Sequence, residues 1–252
     1  MSDAKIAPAP DLAQLLTETE RERQWPNVTP RDAATLIILD RSGKTPKILM
    51  GKRHAGHKFM PGKFVFPGGR VDPTDKRMAI SGVLPQKIEN KLLKRVTRGA
   101  ASRPRALALA AIRETFEETG LVLGSRDFGP VENPPPGPWT DYAAHGVHPS
   151  FEGLHFIARA ITPPRRPKRF DTAFFAIDAD EIAHRVEGVI SADTELVELV
   201  WLPLAEAQKL DLPAITSVVL RELEIRIAAG MGHDEPVPFF HERNRKWLRE
   251  EL

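Results

Sequence analysis

The chain has 252 residues, enough for one sizeable core, and its 41% hydrophobic and 28% charged content is that of an ordinary globular protein. Lys and Arg total 36 against 34 Asp and Glu, so the net charge of +2 gives no general case for nucleic-acid binding. There is no cysteine, which excludes disulfides, thiolate catalysis, Cys-ligated zinc and iron–sulfur clusters. No stretch approaches the roughly 20 apolar residues of a membrane helix, and the first residues lack the apolar core of a signal peptide. The expected setting is therefore cytoplasmic, with no membrane partner.

Residues 1–30, rich in charge and proline, are expected to form an N-terminal extension with a short helix around Asp11 to Arg23. A strand follows over Ala33 to Leu39, closed by turn residues Asp40 to Gly43 and paired in a hairpin with Lys47 to Met50. Lys63 to Phe66 reads as a short strand running into Pro67-Gly68-Gly69, a turn signal. Residues 76–103 are basic and irregular, with a helix expected around Gln86 to Thr97. Ser102 as N-cap, Pro104 in the first turn, good helix formers from Ala106 to Thr119 and a stop at Gly120 define the clearest helix.

Residues 129–150, dense in Pro and Gly, read as a loop. Strands are expected at Leu154 to Ala160, Thr172 to Ile177 and Leu196 to Leu202. Helices are expected at Leu204 to Lys209 and Ala214 to Ala229, and residues 236–252 read as a C-terminal tail. Hairpins interleaved with isolated helices suggest an α/β layered sandwich with a mixed sheet, its main domain spanning 31–235.

Glu114, Glu117 and Glu118 stand at i, i+3 and i+4 and share one helix face. Three like charges there repel. Arg113 can reach Glu117, but one cation does not neutralise three anions. A hard divalent cation such as Mg²⁺ or Mn²⁺ would. The plain alternative is a solvated acidic face. Against it, Leu107, Ala110, Ala111 and Phe116 make the opposite face apolar, so the helix docks, and Pro-Gly-Gly lies upstream to bring backbone close to a ligand.

The run Arg113-Glu114-Thr115-Phe116-Glu117-Glu118-Thr119-Gly120-Leu121 resembles the second half of the Nudix box, with Thr115 weak at a hydrophobic place. Phe66-Pro67-Gly68-Gly69 resembles the segment that opens the box. Asp75 occupies its acidic position, where Glu is usual, and Asp72 a second frequent acidic place. The two halves are split by an insertion of about thirty residues, 76–103 being its bulk. A split box opening in this way, with Arg169-Phe170-Asp171-Thr172-Ala173-Phe174-Phe175 and Trp201-Leu202-Pro203-Leu204 downstream, is similar to the Nudix branch that includes coenzyme A and acyl-coenzyme A diphosphatases.

The resemblance implies a Nudix-like α/β/α sandwich and a metal-dependent hydrolase of a nucleoside diphosphate linked to another group. Carried over by position, Glu114, Glu117 and Glu118 would hold Mg²⁺ or Mn²⁺, one of them helping to activate water. Arg113 would orient them, and the backbone at Gly68 and Gly69 would support the metal–phosphate site. A further carboxylate is expected before an aromatic-ended strand: Glu195 is preferred, Glu198 competes, and either could be a solvated strand-edge charge. Arg53 and Arg169 are candidate phosphate contacts, against a surface salt bridge for the first and a solvated loop for the Arg165–Arg169 cluster.

Trp139, Tyr142 and Phe151 could stack on a base or pin their loop to the core. Ser42-Gly43-Lys44-Thr45 lacks the earlier glycine of a P-loop and reads as a hairpin turn. The histidines, His54, His57, His145 and His148 among them, form no zinc-protease motif. The expected partner is a small nucleotide diphosphate, with coenzyme A or acyl-coenzyme A preferred. Capped RNA, dinucleotides, ADP-ribose-type compounds and a non-catalytic nucleotide sensor remain as alternatives. A homodimer, and the insertion as cap, specificity element or dimer contact, are left open.

Overall fold

Alternation along two strands sets the architecture. In chain order the elements of this computed structural model are α1 (Leu12–Glu18), β1 (Arg31–Asp40), β2 (Lys47–Arg53), β3 (Phe64–Val65), β4 (Gly68–Arg70), α2 (Gln86–Leu93), α3 (Arg103–Thr119), β5 (Leu121–Leu123), α4 (Pro138–Ala143), β6 (His155–Ile161), β7 (Phe170–Asp178), β8 (Ile182–Arg185), β9 (Leu196–Pro203), α5 (Leu204–Ala207), α6 (Ala214–Ala228), β10 (Pro238–Arg243) and β11 (Lys246–Glu251). The structure describes residues 12–18, 23–56, 60–96 and 101–252. Much of the expected extension, His57 and the expected helix end at Thr97 lie outside the described residues.

β1 and β7 pair in parallel from Arg31↔Phe170 to Leu39↔Asp178. Ala34, Leu36 and Ile38 of β1 and Ala173, Phe175 and Ile177 of β7 point into one core cluster, with Leu107 and Ala111 of α3 and Ile88 and Leu92 of α2. Ile37 and Leu39 of β1 and Phe174 and Ala176 of β7 point into the other, with Val219 and Leu223 of α6 and Leu16 of α1. Burial on both faces explains why β1 reads as a continuous apolar run rather than an alternating one.

The main sheet runs β11-β10-β6-β7-β1-β2-β3, with β4 beside β1 and β9 beside β2; β5 and β8 form a separate pair. β1/β7 and β6/β10 are parallel and the other pairs antiparallel. Mixed sheet and flanking helices are the expected α/β/α layers.

Four local expectations need correction. Residues 236–252 are no tail: β10 and β11 form a hairpin that extends the sheet from β6, burying Phe239, Phe240 and Trp247. Its two-residue turn, Asn244-Arg245, has φ of 52° and 63°. Such a turn announces itself as Asn-Gly, and Arg in the second place hides it. The loop at 129–150 contains α4. The insertion is no loose excursion: Met78, Leu84, Ile88 and Leu92 are core residues. Ser102 makes no side-chain cap, because its own backbone is already helical at φ −76°, ψ −5°. Gly120 does end α3 as expected, at φ 74°, where an added Cβ would lie 2.4 Å from the Val186 carbonyl oxygen.

Candidate active site

The site forms where β1 changes neighbours. β4 pairs with Ala33–Thr35, whereas β2 pairs with Leu39 and Asp40, and the Leu36 N–H between them turns to the Pro67 carbonyl. A cavity of about 450 Å³ opens along this junction. Glu114 and Glu118 of α3 line it, as do Ile215 and Thr216 of α6, so both helical layers reach it around the sheet edge.

Glu114 and Glu118 are one helical turn apart and face β4. The Gly68 N–H donates to Glu118 Oε2 at 3.1 Å. A Cβ on Gly69 would stand 2.4 Å from the Glu114 carboxylate, so only glycine permits this approach. Burial pushes the Glu118 carboxyl well above its ordinary value, and the charges of Glu195 and Glu114 add to this; the Gly68 bond and Arg53 oppose it. Glu114 is also raised by burial, against the pull of Arg113.

Arg113 joins the two halves of the box. Its Nε donates to Asp75 Oδ1 at 2.7 Å, and Nη2 donates to Asp75 Oδ2 at 3.2 Å and the Arg70 carbonyl at 2.8 Å. Its Nη1 donates to Glu114 Oε1 at 2.9 Å and Glu117 Oε1 at 2.6 Å. Burial lowers the guanidinium pKa, but Asp75, Glu114 and Glu117 more than reverse this, and the net shift is upward. Asp75 is fully buried and also accepts from Trp139 Nε1 at 3.0 Å and the Asp72 N–H at 2.7 Å. One carboxylate thus ties the opening loop, the box helix and α4 together. Trp139, Tyr142 and Phe151 are buried pins, not stacking platforms.

The remaining candidates divide. Arg53 bridges to Glu195 at 2.8 Å, and both line the cavity. Glu198 does not line it and instead faces Lys52 at 3.9 Å on the exposed side. Glu117 is held by Arg113 and lies outside the lining. Asp72 also lies outside it; bonds from the Thr74 hydroxyl and N–H hold its carboxyl below the ordinary range. Arg169 is spent on the Thr162 carbonyl, Asn27 Oδ1 and the Val28 carbonyl and does not reach this cavity. The β7 contribution comes from Phe170, Thr172 and Phe174, the same-face set at every second residue.

Among the described residues no three His, Asp or Glu side chains stand close enough to enclose a metal ion. The donors are oxygen: two half-buried carboxylates on a glycine backbone, with Glu195 lining the same cavity. This set fits a hard cation that takes few protein carboxylates and completes its shell with water and phosphate oxygens.

No family model matches the chain. The solved NUDIX hydrolase of Alicyclobacillus acidocaldarius is 27% identical with a TM-score of 0.56, over 80% of this chain and 96% of that one. The chain has the Nudix fold. A Caenorhabditis elegans protein provisionally named nudix hydrolase 7 is 30% identical over 162 residues, 60% of this chain. The match covers 45% of that curated relative, so the chain spans under half its length. Curated and solved relatives together support kinship with the Nudix hydrolases.

Proposed function

We propose that the chain is a Mg²⁺- or Mn²⁺-dependent hydrolase that cuts the diphosphate linkage of a nucleoside diphosphate joined to another group, with coenzyme A or acyl-coenzyme A as preferred substrate. The carrying observation is the pair of half-buried carboxylates, Glu114 and Glu118, converging on the Gly68–Gly69 backbone in an open cavity. Glu114, Glu118 and Glu195 would hold the metal, with the Gly69 backbone beside them. When bound, the metal neutralises charge on the diphosphate and lowers the pKa of water at the site.

The chain's own residues do the rest. Arg113 fixes Glu114 from one side and leaves its other oxygen for the cavity. Glu114 or Glu118 takes a proton from the attacking water, a task suited to a carboxylate of raised pKa. Arg53, steered by Glu195, presents a guanidinium to a phosphate oxygen. Asp75 keeps Arg113 from collapsing onto the carboxylates it orients.

Two observations support coenzyme A within this class. The split box and the Arg169–Phe175 run are similar to that branch. A second chamber of about 450 Å³ also adjoins the first at Phe174 and Ile215, with apolar walls from Ile161, Leu212 and Trp247, a fit for an extended arm. The test is chromatographic product analysis over coenzyme A, acyl-coenzyme A, ADP-ribose, dinucleotides, nucleotide sugars and nucleoside triphosphates, with and without Mg²⁺ or Mn²⁺. Metal-dependent cleavage of the coenzymes at the highest kcat/KM is expected. Folded protein that turns over none of them would sink the enzyme reading, and a preference for ADP-ribose or dinucleotides would replace the substrate.

A further inference from the structure

The arginine that orients Glu114 is itself held from a second helix. Trp139, on α4, is fully buried, and its Nε1–H donates to Asp75 Oδ1 at 3.0 Å. That oxygen also accepts from Arg113 Nε at 2.7 Å. Asp75 Oδ2 accepts from Arg113 Nη2 at 3.2 Å and from the Asp72 N–H at 2.7 Å. An ionised carboxylate offers about four acceptor positions, and these donors fill them. Asp75 is the most deeply buried carboxylate among the described residues, so a lone pair left open there is strongly unfavourable.

Arg113 is as fully engaged. Its Nε and one Nη2 hydrogen go to Asp75, the other Nη2 hydrogen to the Arg70 carbonyl, and the two on Nη1 to Glu114 and Glu117. A guanidinium carries these donors in one rigid plane, and none is spare. Asp75 draws that plane one way and the two glutamates draw it the other. A neutral indole donor satisfies Asp75 without a second cation, which leaves Nη1 to the glutamates. Without the indole N–H, the donor at hand is the guanidinium itself, and its turn towards Asp75 carries Nη1 away from Glu114.

Tyr142, on the same helix, makes the contrast. It is equally buried, and its ring meets those of Trp139 and Phe116 edge-on at 5.3 and 5.2 Å between centroids. Its hydroxyl, however, donates to the Leu123 carbonyl. The polar end of Tyr142 serves the backbone, and that of Trp139 serves the carboxylates.

We infer that Trp139 is a positioning residue for the metal site: its indole fixes Asp75, Asp75 fixes the plane of Arg113, and Arg113 presents Glu114 to the cavity. The inference rests on the reading of Glu114 and Glu118 as metal ligands. Trp139, Asp75 and Arg113 all lie outside the cavity lining, so their effect travels through Glu114. Groups behind the ligands set the orientation in which a metal finds them.

The test is Mn²⁺ binding to metal-free protein, read from the electron paramagnetic resonance signal of the free ion. Trp139→Phe, which keeps an aromatic ring and drops the N–H, is expected to weaken Mn²⁺ binding about tenfold. On the substrate that wild type cleaves best, kcat should fall by a similar factor while KM holds, because Trp139 and Asp75 do not reach the cavity. Tyr142→Phe is expected to lower stability and leave the Mn²⁺ affinity at its wild-type value. Loss of folded protein changes the number of sites and not their dissociation constant, so instability alone does not imitate the effect. Should Trp139→Phe not fold, the indole N–H resonances of wild type decide. Mg²⁺ is expected to shift that of Trp139, assigned through Trp25→Phe, Trp201→Phe and Trp247→Phe, and a resonance indifferent to saturating Mg²⁺ would overturn the inference. So would wild-type Mn²⁺ affinity in Trp139→Phe, or equal weakening in Tyr142→Phe. Wild-type protein that binds no Mn²⁺ sinks the metal reading and the inference with it. Wild type that binds Mn²⁺ no better than Trp139→Phe does sinks the inference alone.

Discussion

Arg103, Asp32, Asp171 and Arg159 bring two guanidiniums onto two carboxylates where β1, β6 and β7 meet α3. Arg103 donates to both Asp32 and Asp171, and Arg159 to Asp171. The remaining guanidinium nitrogens go to the carbonyls of Leu92 and Lys94, which anchors the inserted helix α2 to the sheet. Charges there balance. At the candidate site, half-buried Glu114 shares Arg113 with Asp75 and Glu117, and half-buried Glu118 shares the pull of Arg53 with Glu195, so carboxylates outnumber guanidiniums. A buried ion group closed on itself is architecture. A half-buried anion pair left open to a cavity favours a cation from outside.

Three substitutions and one titration would break or sharpen this contrast. Arg159→Ala is expected to cost about 3–5 kcal/mol of folding stability, because it strands the Asp171 carboxylate. Denaturant unfolding reads this, and kcat of the folded fraction should hold. Glu118→Gln is the opposite case. We expect kcat to fall by about 10²–10³-fold while metal-free stability holds or rises, because a repelled buried charge is removed. Equal losses of stability in both variants would erase the distinction between the two groups.

The third prediction concerns pH. The folded pKa values of Glu114 and Glu118 lie above the ordinary 4.5, so their ionisation costs folding free energy. That cost is full above the folded pKa and disappears below the unfolded value. Metal-free protein should therefore gain stability from these groups as pH falls from neutral toward about 4.5, at about 2–4 °C in Tm per kcal/mol. Glu118→Gln should flatten the slope, and thermal melts in chelator across that range check it; an unaltered slope would remove Glu118 from the unbalanced group. The smallest effect belongs to Ser102→Ala. A true N-cap is worth about 1 kcal/mol, but this side chain makes no cap bond, and a change of only a few tenths is expected.

Much of the layered fold was legible because its signals are local. The β1 run, the Pro-Gly-Gly turn, the helix over 103–119 and its glycine stop each depend on residues a few positions apart. The hairpin β10–β11 was not, since its turn lacks glycine and its strands are recognisable only once β6 receives them. In the site, Glu114, Glu118, Gly69 and Glu195 were implied by the resemblance to the Nudix box, and the structure brings all four to one cavity. Glu117 and Arg169, also candidates, face elsewhere, the first turned onto Arg113 and the second, just before β7, onto the Thr162 carbonyl.

By itself the sequence determined which helix carries the carboxylates, where the strands β1 and β7 run, and that a glycine turn upstream could bring backbone close to a ligand. These follow from helical and strand periods and from the room a missing Cβ leaves. Only the tertiary structure decided which charges find partners. Asp75 meets Arg113 across thirty-eight positions, and Asp171 meets Arg103 across sixty-eight. Charge balance is a property of neighbours in space, and no period along the chain records it.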